Sequence, residues 1–151
     1  MIERNQVEAL MLNACPSFVE NQDRLAWHSD WDEEADPPLY LLGADFVRHL
    51  TALNAMGNRN DFPAVFQVIE DLHTQGDHYV RELATVGLLE DLQNTSQHPE
   101  GSKPEDFIPY LLPVSKWWWE EVELFWQGKV TPIGSSGRPH PDAMGLSLED
   151  I

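Results

Sequence analysis

The sequence predicts an all-α protein: a single compact multi-helix domain with a central helical hairpin and an extended C-terminal tail. Three observations carry that prediction. Between turn signals the apolar residues recur every three to four positions, as one face of a helix requires, and nowhere do they sustain the alternation of a half-buried strand. The 151 residues are 42% hydrophobic, enough for a core that removes about two-thirds of the unfolded surface from water. Pro, Gly and Ser then concentrate beyond Gly128, so the chain divides into a helical domain over 1–127 and an extended tail over 128–151.

Residues 2–13 form an amphipathic helix with Val7, Leu10 and Met11 on one side, ended at Cys15-Pro16 because a residue before proline avoids helical backbone. Ser17 is placed to cap a second helix carrying Phe18, Val19, Leu25 and Trp27, and Pro37-Pro38 is a hard break. Over 39–56, Leu42, Phe46, Leu50 and Leu53 recur at helical spacing, and Gly57-Asn58 supplies a left-handed stop. Asp61 is expected to cap the next helix, with Pro63 in its first turn. Phe62, Val65, Phe66, Ile69 and Leu72 fall in one sector of that helix, leaving Gln67, Glu70, Asp71 and Thr74 toward water.

Gly76 ends that helix and Asp77 caps its successor with almost no loop between, so the two form an antiparallel hairpin. The second arm, 77–93, spreads Tyr79, Val80, Leu83, Ala84, Val86, Leu88, Leu89 and Leu92 around its circumference, the pattern of a central helix touched on several sides. Gly87 marks a close approach by a neighbour. A polar link over 94–103 leads to a short helix, 104–112, and a last helix, 115–127. In the tail, Leu146, Leu148 and Ile151 are available to dock.

With 26 acidic and 9 basic side chains the net charge is −17. A groove that tracks phosphates gains its affinity from Lys and Arg, so nucleic acid is excluded as a partner, and anionic membranes are disfavoured by the same sign. The one cysteine, Cys15, can make neither an internal disulfide nor a Cys-based metal site. With no apolar run long enough to span a bilayer and no signal-peptide pattern, the expected compartment is the cytoplasm.

No phosphate loop, His-Glu-x-x-His, calcium loop or nucleophile elbow occurs. His73 and His78 flank the Gly76 turn next to Asp71 and Asp77, but the turn sends them along diverging axes, and His73 reads as a partly buried, satisfied histidine. His28 near Asp30 and Asp32 raises the same question more weakly, and Asp45 with His49, four apart on one helix face, should form a local pair that raises the histidine pKa. Cys15 lacks the electropositive setting a nucleophile needs. No catalytic residue, cofactor or metal is expected.

Two features remain. Asp30, Asp32, Glu33, Glu34 and Asp36 form the densest charge run and surround Trp31. This is either a solvated loop or an aromatic anchor among carboxylates that steer a basic partner. Trp117-Trp118-Trp119 is the other. Helical geometry puts Trp118, Trp119, Val122, Phe125 and Trp126 on one core-facing sector and separates Trp117, which must meet a second packing surface, the tail or another protein. Trp117 therefore joins Trp31 and the five carboxylates as a candidate partner-binding residue.

Residues 45–50 (DFVRHL), Gly76-Asp77 with 80–92 (VRELATVGLLEDL), and Leu111-Leu112-Pro113 with 115–118 (SKWW) and Phe125-Trp126 resemble a family of small bacterial all-helical domains of uncharacterised function, similar in style to immunity proteins of polymorphic toxin systems. The resemblance implies an all-helical fold and an immunity role; with no assembled active site, a net charge of −17 and the exposed aromatic candidates, the expected function is a non-enzymatic protein that binds and neutralises a cognate, basic toxin. A general helical-repeat-like interaction module is the alternative, and a metal-dependent hydrolase is a third.

Overall fold

The apolar stripes over 4–14, 39–55, 62–75 and 113–126 fold as the α-helices their spacing requires, whereas the short helix expected over 104–112 winds as a 3-10 turn; a computed structural model describes residues 1–141 of the chain. The helices are α1 (Arg4–Ala14), α2 (Gln22–His28), α3 (Leu39–Ala55), α4 (Phe62–Gln75), α5 (His78–Glu82), α6 (Glu90–Gln93) and α7 (Pro113–Trp126). Tight 3-10 turns occupy Pro16–Glu20, Thr95–Gln97 and Pro104–Tyr110. Among the described residues there is no strand, only one isolated bridge between Ile2 and Gly76 that clips the N-terminus to the hairpin turn. The protein is all-α. Leu146, Leu148 and Ile151 lie outside the described residues.

The hairpin forms as predicted: α4 packs on α5 and on the segment that follows it. The second arm is one continuous rod, but its middle, Leu83–Leu89, is π-helical, with the Glu90 N–H bonding back five residues to the Thr85 carbonyl. This rod touches α3, α4 and α7, as a central helix should. Gly87 sits where α3 crosses: a Cβ there would lie 2.7 Å from Leu83 Cδ1 and 3.3 Å from the Tyr40 ring, and a Cβ on Gly43 of α3 would meet the Gly87 carbonyl at 3.2 Å. Each larger side chain would push the rods apart.

The core is contiguous from Val7 and Met11 through Leu42, Phe46 and Leu50 to Phe62, Phe66, Leu83 and Leu88, and Phe107 closes one end against Phe62 and Phe66. Gly57 takes the left-handed geometry of a helix stop at φ 76°, and Asn58 N–H bonds to Leu53 O across it.

Several local expectations are corrected. Asn21, not Ser17, caps α2, accepting from Arg24 N–H, because Pro16–Glu20 winds as a separate 3-10 turn. Asp61 has helical backbone angles and makes no capping bond. Val19 and Leu25 are exposed, and α2 buries Arg24 instead, held by Glu8 and the Val19 carbonyl. Trp126, assigned to the core face, is 55% exposed. Glu70, assigned to water, is buried.

Candidate functional site

The acidic segment is a loop, residues 29–38, joining α2 to α3. Asp30, Asp32, Glu33, Glu34 and Asp36 are all exposed. The loop is held at two points: Trp31 is half-buried, with its ring edge-on to Trp27 and His28, and Asp36 meets Arg4 at 3.2 Å. Asp32 also folds the turn by accepting the Glu34 N–H. Among the described residues Asp30, Asp32, Glu33 and Glu34 are in no ion pair. His28 turns away from Asp30 and Asp32 to Glu8, 3.2 Å away.

Trp117 leaves the core face, as its position on α7 requires, and meets the C-terminal segment. Its indole N–H donates to the Pro139 carbonyl at 2.8 Å, the His140 ring packs edge-on at 4.9 Å, and the Arg138 guanidinium lies 5.5 Å above its face. The segment is latched by fully buried Glu121, which accepts from Arg138 Nε at 2.8 Å and from the Ser136 hydroxyl. For Trp117 to anchor another protein, this latch would have to open. Trp119 fills the core, whereas Trp118 is half-buried, its ring parallel to that of His73.

His73 is the centre of a polar chain that the sequence did not reveal. Glu70 accepts three bonds at the start of α7, from the N–H groups of Val114 and Ser115 and from the Ser115 hydroxyl. Since that hydroxyl gives its proton to a carboxylate, its oxygen must accept from His73 Nδ1 at 2.9 Å. His73 Nε2 then accepts from the Thr85 hydroxyl at 3.0 Å. Burial, with the Arg81 charge a lesser contributor, holds the ring neutral by lowering its pKa from 6.5 to about 3. With both nitrogens engaged, no lone pair is left for a metal.

Above this chain opens a cavity of about 620 Å³. Val114, Trp118 and Phe125 of α7, Val86 of the π-helical segment, and Pro132 and Ile133 of the C-terminal segment supply its apolar wall. His73, Thr85, Arg81, Glu82, His78 and His140 supply its polar one.

A second histidine network occupies the other side of the sequence. His49 does not pair with Asp45, which is buried and taken by the Trp27 indole N–H and by Arg48. It bonds instead to Ser17 Oγ at 2.8 Å and Asn21 Nδ2 at 3.2 Å. Asn21 Oδ1 is committed to the α2 cap, so its amide nitrogen faces His49 and donates to Nδ1. The ring proton therefore sits on Nε2 and points at Ser17. A base needs a lone pair there, so Ser17 is not activated. Burial lowers the His49 pKa and, as the main cause, raises that of Cys15. Among the described residues no three or more His, Cys, Asp or Glu side chains gather to hold a metal ion, and no helix is long and apolar enough to cross a membrane.

A family model for a domain of unknown function, DUF7674, matches residues 8–127. The chain belongs to the DUF7674 family. No curated protein and no solved structure matches it. The DUF7674 match covers the acidic loop, both histidine networks and the cavity floor, and it stops just before the C-terminal segment that latches onto Glu121. Of the residues singled out from sequence, the loop brings Trp31 and the five carboxylates together, while Trp117 stands apart on α7. Glu70, Thr85, Ser115, Glu121 and Arg138 gave no sequence signal, since each acquires its role from a residue far along the chain.

Proposed function

We propose that this DUF7674 protein is a non-enzymatic, cytoplasmic immunity protein that binds and neutralises a basic bacterial toxin through the loop over 29–38. The observation that carries the reading is a set of four exposed carboxylates, on Asp30, Asp32, Glu33 and Glu34, without a cation partner among the described residues, on a loop pinned by Trp31 and by Asp36. Like charges held close repel one another, and a basic surface relieves that repulsion. The pinning lowers the ordering cost of binding, and the net charge of −17 draws a cationic partner in from a distance. A toxin that acts on nucleic acid needs a basic surface for phosphates, and carboxylates can occupy it.

The test uses the purified product of the adjacent gene. The reading predicts that this product is toxic alone and harmless on co-expression. Its association rate should fall steeply as salt rises, and fall again when Asp32, Glu33 and Glu34 are neutralised together. A neighbour that neither harms cells nor binds, or binding with a salt-independent on-rate, would overturn it.

A further inference from the structure

The cavity shares no lining residue with the acidic loop, and its lining carries one guanidinium, Arg81, and one carboxylate, Glu82, in a chain whose net charge is −17. Arg81 is held at its wall by the chain itself: Nε donates to the Gly76 carbonyl at 2.8 Å and one terminal nitrogen to the Thr74 carbonyl at 3.3 Å. Those bonds fix the guanidinium, and among the described residues its other terminal nitrogen has no acceptor. Among the described residues Arg81 is in no ion pair, although acidic side chains outnumber Lys and Arg by 26 to 9. Arg59, Lys103, Lys116 and Lys129 are likewise in no ion pair among the described residues; what sets Arg81 apart is that two backbone carbonyls hold its guanidinium at the wall of a cavity, where it can receive an anion.

The remaining walls say what that anion carries. Trp118, Phe125, Val86, Val114, Pro132 and Ile133 offer aromatic and branched apolar surface, and about 620 Å³ lies within the range of small-molecule sites. The floor is uncharged, because His73 is neutral and both of its nitrogens are occupied by hydroxyls. Thr85 and Val86 reach the cavity from a π-helical turn, a feature that recurs at functional sites.

We propose that this cavity binds a small amphiphilic anion, an apolar or aromatic body bearing one acidic head group, with Arg81 taking the head and the α7 and C-terminal side chains enclosing the body. Residues from 131 to 133 and His140 line the site, so occupancy also tightens the C-terminal segment against α7. The inference stands independently of the loop and of any toxin.

The probe is 1-anilinonaphthalene-8-sulfonate, set against the neutral N-phenyl-1-naphthylamine, each titrated by fluorescence into the full-length protein. Saturable binding at one site is expected for both. Arg81→Gln should weaken the sulfonate about tenfold and leave the neutral probe unchanged, with Arg81→Lys recovering part of the loss. Val86→Trp, at a wall position that is already 39% exposed, should weaken both probes by filling the cavity. Because Arg81 also braces the end of α4, the wild-type protein is titrated in parallel by NMR, where the sulfonate should shift the Arg81 Nε–H and Trp118 indole N–H resonances. Absence of saturable binding, equal sulfonate affinity in folded Arg81→Gln, indifference of both probes to Val86→Trp, or shifts confined to other residues would each overturn the proposal.

Discussion

His73 and His49 make similar contacts, since each ring has a hydroxyl on one nitrogen and a polar partner on the other. Their neighbours set them in opposite states. Around His73 the fixed point is the Glu70 carboxylate, which can only accept. It takes the Ser115 proton, forces Nδ1 to carry the ring proton, and leaves Nε2 as an acceptor toward Thr85. Around His49 the fixed point is the Asn21 amide, whose oxygen is spent on a helix cap, so Nδ1 accepts and the proton faces Ser17. His73 has the right tautomer to act as a base but, with a pKa near 3, almost no basicity at neutral pH. His49 has the wrong tautomer. The comparison teaches that a hydroxyl beside a histidine is activated only when both orientation and basicity are supplied, and here each network supplies at most one.

The largest test of the contrast is Glu70→Ala. Losing a buried carboxylate strips two α7 N–H groups and a hydroxyl of their acceptor, so stability should fall by about 3 to 5 kcal/mol. A denaturant midpoint near that of the wild type would show that Glu70 does not organise the chain around His73.

Next comes pH. The folded-state pKa of His73 lies below its unfolded value, so the unfolded chain binds the extra proton. The contribution of the neutral ring is then complete above about pH 6.5 and is lost as pH falls toward 3. Between pH 7 and pH 5 this amounts to about 2 kcal/mol, and His49, shifted in the same direction by burial, adds to it. His73→Gln should flatten most of that slope, measured as unfolding free energy at the two pH values. An unchanged slope would mean that His73 is not held neutral.

Asn21→Ala should cost about 1 kcal/mol, the ordinary loss of a helix cap. It should also free His49 Nδ1, visible as a change of tautomer. A change in stability without a change at the ring would separate the cap from the histidine. Smallest of all, joint neutralisation of Asp32, Glu33 and Glu34 to their amides, which keeps the Asp32 acceptor for the Glu34 N–H, should move the unfolding free energy by less than about 0.5 kcal/mol, because among the described residues no ion pair is lost with them. A larger loss would make the loop a structural element rather than a binding surface.

These networks also mark how far the sequence could be read. Local signals sufficed for α3 and α4, where Leu42, Phe46, Leu50 and Leu53 and then Phe62, Phe66 and Ile69 are buried as their spacing demands. They sufficed for the Gly57 stop, the Asp77 cap and the crowding at Gly87. They failed where a polar residue is claimed by a distant partner. Glu70 follows the pattern of a solvent-facing position on α4 and is buried only because the start of α7 docks on it, 44 residues away. Arg24 in α2 and Glu121 in α7 repeat the lesson, since a charge inside is stable only when its partner, here Glu8 or Arg138, is already in place. The acidic loop was legible because charge density is local. The cavity was not, because its walls come from α4, α5, the π-helical segment, α7 and the C-terminal segment.

The most direct measurement of the contrast is the protonation state of the ring nitrogens, read from ¹⁵N chemical shifts and long-range ¹H–¹⁵N couplings at pH 7. Two neutral histidines of opposite tautomer are expected: His73 protonated at Nδ1 with Nε2 bare, and His49 protonated at Nε2 with Nδ1 bare. A His49 ring bare at Nε2, or a His73 ring carrying protons on both nitrogens, would contradict that expectation.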